Sequence, residues 1–211
     1  GEIGVDGALY KAIEFDGATI EALDVEGRLT IANMAIEAGG KAGLFASDDK
    51  TVEYCTAHKR PDAEKIAADP GAVYERELRF DVSDMEPVVA CPHLPSNTKP
   101  VSRLKDLPVN QVVIGSCTNG RISDMRAAAE ILKGRKVAKN VRCIILPATP
   151  SIWKQAMKEG LFEVFTDSKD ESDAIRVMNN LNVSAKGVLK EAVKSVVGEK
   201  GKEVIKKMLG K

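Results

Sequence analysis

The sequence predicts an α/β fold built around parallel β-sheet, followed by a helical tail at the C-terminus. Two segments carry this prediction: residues 112–114 and 141–146 are short apolar runs, typical of buried parallel strands. Each run is followed by a helical pattern of apolar residues, at 122–132 and 151–159. The order strand, helix, strand, helix favours parallel strands joined by right-handed crossovers.

The first part of the chain predicts a similar alternation. Residues 9–15 and 42–46 have the composition and pattern of short strands. Between them, residues 26–38 form a helical pattern that is apolar on nearly all sides, which predicts a buried helix ending at Gly39.

The following segment is less regular. Residues 51–58 and 62–68 are predicted helices, and residues 74–82 alternate like a strand. Five prolines between residues 85 and 108 exclude a regular helix there, so this stretch is predicted to be a loop.

We therefore expect a first α/β domain at 1–100, a second at 101–168 and a basic helical tail at 169–211. In the tail, apolar residues at helical spacing predict three helices, at 174–181, 188–197 and 204–209.

Composition and charge narrow the function classes. The 211 residues contain 31 Lys and Arg against 31 Asp and Glu, so net charge gives no indication of a nucleic-acid or membrane partner. The charges are unevenly distributed, because residues 184–211 carry eight Lys and three Glu.

No leader or membrane-spanning apolar run is recognisable, and residues 1–15 are typical of the interior of a longer protein. We expect a soluble, cytoplasmic protein.

The four cysteines are widely separated in the sequence. Cys55, Cys91, Cys117 and Cys143 form no Cys-x-x-Cys pair, which suits reduced thiols better than disulfides. Cys143 lies inside a predicted strand and is expected in the core. Cys91 and His93 are zinc-ligand types, but a zinc site would need two further ligands that no later pair supplies.

Cys117 occupies the turn between the strand at 112–114 and the helix at 122–132. Ligands gather at the carboxyl ends of parallel strands, and N–H groups at a helix N-terminus lower the pKa of a nearby thiol. A thiolate placed there could bind a metal. The alternative is a small cysteine buried at a tight turn, and the spacing alone leaves both open.

Asn33 and Glu37 are polar residues in the otherwise apolar pattern at 26–38. Because they are four residues apart, a helix would direct an amide and a carboxylate to one spot. The alternative is a solvated edge of a helix that is buried elsewhere.

The motif GSCTNGR at residues 115–121 resembles the first cluster-ligand motif of the aconitase superfamily. Residues 25–40, 89–93 and 145–150 are also similar to that superfamily, and the similarity extends from residue 1 to about 168. Within it, the large-subunit family of 3-isopropylmalate dehydratases is most similar, and that of homoaconitases is next. The resemblance implies an aconitase-like fold of α/β/α layers.

The resemblance also implies a chemistry. Members of the aconitase superfamily are hydro-lyases with a [4Fe–4S] cluster bound by three cysteines, and Cys117 matches one of these ligands. Asn33 and Glu37 match catalytic positions, and Asn119 and Arg121 match positions beside the substrate. The family further implies a small-subunit partner, a small 2-hydroxy di- or tricarboxylic acid as substrate, and isomerisation of 2- and 3-isopropylmalate in leucine biosynthesis.

The sequence departs from the family after residue 168. The Cys-x-x-Cys motif that would supply the other two cluster ligands does not follow, and the remaining cysteines match no ligand position. We therefore expect part of a large subunit that is incomplete or inactive alone. An alternative is a non-catalytic scaffold whose basic tail binds a partner or an anionic surface, although the tail has no aromatic residues to stack on bases.

Overall fold

The computed structural model describes residues 1–104 and 107–168, together with the backbone of residues 175–177. It is a mixed α/β protein with two small parallel sheets and one antiparallel hairpin. The predicted α/β class and parallel strands are therefore confirmed.

The N-terminal part is a two-stranded parallel unit with helices between and after its strands. Strand β1 (Ala12–Phe15) pairs with β2 (Ala42–Phe45), so that Ala12 lies opposite Ala42. The chain between them forms α1 (Ala18–Ala22), α2 (Val25–Met34) and a 3-10 turn (Ala35–Ala38). Gly39 then ends the helical segment at φ 77°, a left-handed conformation that glycine adopts without steric cost.

Helix α3 (Asp49–Ala57) follows β2. A partly buried ion pair links the start of α3 to α2, because Arg28 Nη2 lies 2.6 Å from Asp48 Oδ2, and the two side chains are 6% and 40% exposed. Asp48 also caps α3 by accepting a hydrogen bond from the backbone N–H of Thr51. The hydrogen bond from Arg28 holds the pKa of Asp48 well below its usual range.

The C-terminal part contains the larger parallel sheet. Its strands are β5 (Gln111–Ile114), β6 (Arg142–Ile145) and β7 (Ile175–Val177), in the order β5-β6-β7. Helices α4 (Ile122–Leu132), α5 (Pro150–Lys158) and α6 (Leu161–Asp167) complete this unit. Its core combines small and large apolar side chains, namely Met125, Ala128, Ala129, Cys143, Ile145, Ala156, Phe162 and Phe165.

Several local predictions are wrong. Residues 62–68 form no helix and residues 74–82 form no strand. Part of the predicted loop at 85–108 pairs instead as an antiparallel hairpin of β3 (Val88–Ala90) and β4 (Thr98–Pro100). The predicted first tail helix overlaps strand β7, and the rest of the predicted tail helices lie outside the described residues.

Two predictions of burial are also wrong. Val112 and Val113 of β5 are 37% and 50% exposed, and β5 is an edge strand of the described sheet. The helix predicted at 26–38 is α-helical only to Met34 and is half-buried, and Ile36 is 66% exposed. In contrast, Cys143 is in the core as predicted, and burial raises the pKa of its thiol.

Within the ranges that the structure covers, none of the helices combines the length and apolar character needed to cross a membrane.

Candidate functional site

The sharp turn that contains Cys117 packs against the residue that follows β6. We call residues 115–121 the Cys117 turn. Gly115 and Gly120 have φ angles of 104° and 87°, and a Cβ atom on either would lie 2.2 Å from the carbonyl oxygen of Leu146. Any other side chain would clash with this carbonyl group and strain the backbone at these φ angles. Gly115 and Gly120 therefore allow the main chain to turn sharply on both sides of Cys117.

Asp124, in the first turn of α4, stabilises the end of the Cys117 turn. Its Oδ2 atom accepts hydrogen bonds from the backbone N–H groups of Gly120, at 2.8 Å, and Arg121, at 3.0 Å. The side-chain amide of Asn119 lies 3.4 Å from the same oxygen. These N–H groups at the start of α4 are therefore bonded to Asp124 and not to Cys117.

Helix α2 packs beside the Cys117 turn through its polar face. The hydroxyl of Thr30 lies 3.4 Å from Oδ1 of Asn119, and the hydroxyl of Ser123 donates a hydrogen bond to Glu26. Glu26 and Thr30 are one helical turn apart, so one face of α2 contacts both the Cys117 turn and the first turn of α4. Asn33, one further turn along α2, continues this face.

The guanidinium group of Arg121 points from the Cys117 turn toward α2 and α3. Its Nη1 atom donates a hydrogen bond to the hydroxyl of Tyr54, at 3.0 Å, and lies 4.0 Å from Oε1 of Glu26. The Arg121 side chain is 19% exposed. Its Nε–H is buried and has no acceptor among the described residues.

The structure brings together some of the predicted site residues and leaves others apart. Asn119 and Arg121 share the network around the Cys117 turn, and Cys117 itself is exposed in that turn. Asn33 is half-buried and Glu37 is exposed, and neither bonds to Cys117 within the described ranges. The α-helix ends at Met34, and Glu37 lies in the 3-10 turn Ala35–Ala38 that continues it.

A complete ligand set for an iron–sulfur cluster is not present in the described part of the chain. No group of three or more His, Cys, Asp or Glu side chains converges there. Cys143 is buried inside β6, while Cys55 lies on α3 and Cys91 directly after β3. The exposed Cys117 suits one thiolate ligand, but the described residues do not fit a whole cluster, which normally needs several cysteines.

Fold and sequence together define the class of protein. The chain belongs to the aconitase family, since the family model described as "Aconitase family (aconitate hydratase)" matches residues 1–106 and 97–172. The predicted superfamily is thereby confirmed.

More specifically, the chain is similar to large subunits of 3-isopropylmalate dehydratase. It is 73% identical over 168 residues to that of Nitratidesulfovibrio vulgaris (strain DSM 19637 / Miyazaki F) and 68% identical over 169 residues to that of Desulfovibrio desulfuricans (strain ATCC 27774 / DSM 6949 / MB). The large subunit of Heliobacterium modesticaldum (strain ATCC 51547 / Ice1) is 55% identical over 168 residues. Each match covers 80% of this chain and 40% of the relative, so the chain spans about 40% of the length of these curated relatives.

Sequence patterns alone did not identify the residues that secure the Cys117 turn. Glu26 and Thr30 lie on the same helical face as Asn33, so that periodicity could have indicated them. Asp124 occupies the third position of α4, where an acidic residue commonly bonds to N–H groups at the start of the helix. Nothing in the sequence near Tyr54 indicates its contact with Arg121, 67 residues later.

Proposed function

We propose that this chain forms the part of a 3-isopropylmalate dehydratase large subunit that supplies one thiolate of a [4Fe–4S] cluster and one wall of the substrate pocket. The observation that carries the proposal is the packing of α2 against the Cys117 turn, through Thr30 and Asn119. Cys117 is exposed at the carboxyl end of a parallel strand, where α/β proteins bind ligands. The 73% identity to such a large subunit supports the assignment.

Each candidate residue then has a chemical role. Cys117 is the thiolate ligand, and the remaining ligands come from parts of the large subunit that this chain does not span. The amide of Asn33 and the carboxylate of Glu37 form hydrogen bonds to a 2-hydroxy acid that binds at the C-terminal end of α2. Asn119 and Arg121 border the substrate and fix the Cys117 turn.

The proposal extends to partners and organisation. The active assembly contains a small subunit, acts in the cytoplasm, and interconverts 2- and 3-isopropylmalate by dehydration and rehydration in leucine biosynthesis. The two parallel sheets belong to α/β/α layers, with one domain at 1–100 and a second at 101–168. The homologues' designation as large subunits supports the small-subunit partner.

A chimaeric large subunit tests the proposal. In the N. vulgaris Miyazaki F subunit, the matching segment is replaced by the corresponding residues of this chain, and the protein is reconstituted anaerobically with its small subunit. We expect isopropylmalate dehydration and bound iron and sulfide. Cys117→Ser should lose both, whereas the control Cys91→Ser should retain both.

The same chimaera separates cluster binding from catalysis. Asn33→Ala and Glu37→Gln should retain iron and sulfide while kcat decreases, because each removes a hydrogen-bonding group that we assign to the substrate. The 211-residue chain alone should bind little iron, because its described part offers one suitable thiolate. Full iron content in Cys117→Ser would refute the proposal.

A further inference from the structure

We propose that Tyr54, on α3, is a positioning residue for the Cys117 turn and acts through Arg121. This inference rests on the proposed function, because it concerns the turn that we assign to cluster and substrate binding. It adds a residue from a separate helix, 63 positions before Cys117, to the machinery of that site.

The contact is a charge-assisted hydrogen bond in a partly buried place. Arg121 Nη1 donates to the Tyr54 hydroxyl at 3.0 Å, and Tyr54 is half-buried. Such bonds from an ionised donor are roughly twice as strong as neutral ones. The other polar neighbour of the guanidinium, Glu26, lies 4.0 Å away, at the limit of an ion pair. Tyr54 is therefore the closer polar restraint on Arg121.

Two contacts hold Tyr54 and its helix in place. Its ring stacks on the ring of His58, with centroids 4.2 Å apart. The helix that carries it is linked to α2 by the ion pair of Arg28 and Asp48. The hydrogen bond from Arg121 to the Tyr54 hydroxyl thus connects the Cys117 turn to α3 of the N-terminal unit.

The hydrogen bond of Tyr54 reaches the Cys117 turn from a different helix than the contacts of Thr30 and Glu26. Thr30 and Glu26 restrain Asn119 and Ser123 from the side of α2. Among the hydrogen bonds within the described ranges, that of Tyr54 is the one that joins α3 to the Cys117 turn. Removing its hydroxyl should loosen the end of the turn and leave the α2 contacts in place.

Hydrogen–deuterium exchange in the full 211-residue chain tests this directly. Tyr54→Phe removes the hydroxyl and retains the stacked ring, and Tyr10→Phe is a matched control because Tyr10 is 76% exposed. We expect exchange at the N–H groups of Gly120 and Arg121 to increase on the order of tenfold in Tyr54→Phe, as for loss of one hydrogen bond to a charged group. Tyr10→Phe should leave it unchanged.

Two results of this experiment would overturn the inference. One is an unchanged exchange rate in the Cys117 turn of Tyr54→Phe. The other is an equal increase throughout α3, α4 and the turn, which would show that Tyr54 contributes only to general stability.

The chimaeric large subunit gives an independent measurement. Tyr54→Phe should lower kcat several-fold with little change in KM and no change in bound iron, while Tyr10→Phe should match the unsubstituted chimaera. Unchanged kcat in an active chimaera would overturn the positioning role. If the unsubstituted chimaera is inactive, the proposed function fails, and the exchange experiment alone decides the role of Tyr54.

Discussion

The side chains of Thr30 and Asn119 meet with 3.4 Å between their oxygens, although 89 residues separate them in the sequence. This contact joins α2 of the N-terminal unit to the turn that carries Cys117. Two parts of the chain with separate sheets thus share one polar contact, formed by Glu26 and Thr30 of α2 with Ser123 and Asn119.

Replacing Thr30 with valine should weaken the contact between α2 and the Cys117 turn. The Thr30 hydroxyl lies near both Asn119 Oδ1 and the carbonyl of Glu26, at 3.1 Å, so its loss should lower the free energy of unfolding by about 0.5–1.5 kcal/mol. Urea denaturation measures the change. Thr166→Val is the control, because within the described residues the Thr166 hydroxyl bonds to carbonyls of its own helix. An equal loss in both variants would show that the contact with Asn119 adds nothing.

Gly120→Ala should be far more destabilising than Gly134→Ala. Both glycines have positive φ angles, of 87° and 71°, and alanine in that conformation costs about 1–2 kcal/mol. At Gly120 the new Cβ atom would also lie 2.2 Å from the carbonyl oxygen of Leu146, whereas nothing lies within 4 Å at Gly134. Denaturant unfolding of the two variants compares the costs, and similar values would contradict the close packing of the Cys117 turn.

Stability should fall in acid partly because of Asp48. Its pKa is depressed in the folded protein by the hydrogen bond from Arg28, so at low pH the unfolded chain binds more protons than the folded one. The contribution is therefore complete above the unfolded pKa of about 4 and is lost as the pH decreases below it. Urea unfolding at pH 6, 4 and 3 should show a shallower decline in Asp48→Asn. An unchanged pH dependence in this variant would contradict the assignment.

Thiol alkylation should distinguish the cysteines. Cys117 is exposed, whereas Cys143 is 3% exposed and burial raises the pKa of its thiol. Since the thiolate is the reactive form, iodoacetamide at neutral pH should modify Cys117 well before Cys143. Peptide mass spectrometry over time identifies the modified residue. Cys143 should react only after denaturation, and its early modification would mean that β6 is not in a closed core.

Local patterns predicted the C-terminal unit well. Strand β6, helix α4 and the position of Cys117 between β5 and α4 follow from apolar runs and helical spacing over a few residues. Periodicity succeeds here because the apolar side chains of α4 and β6 pack into one core.

The same reasoning failed where an apolar pattern has no core to pack against. Ile66 and Phe80, in the segments predicted as a helix and a strand, are 70% and 57% exposed. The network around Arg121 was equally inaccessible to sequence analysis, because Tyr54 lies 67 residues before it and Glu26 lies 97 residues before Ser123. Contacts at such separations depend on how the units pack, which a local pattern does not specify.

The approach of Gly115 and Gly120 to one carbonyl group has a consequence for ligand binding. Both ends of the loop around Cys117 are already confined when the chain folds, so the entropy of ordering this backbone is lost before any ligand arrives. A metal centre or substrate that binds there meets a preorganised thiol and does not have to immobilise a flexible segment. The affinity for a ligand at Cys117 therefore depends in part on the carbonyl group of Leu146, a residue that belongs to a different strand–helix unit.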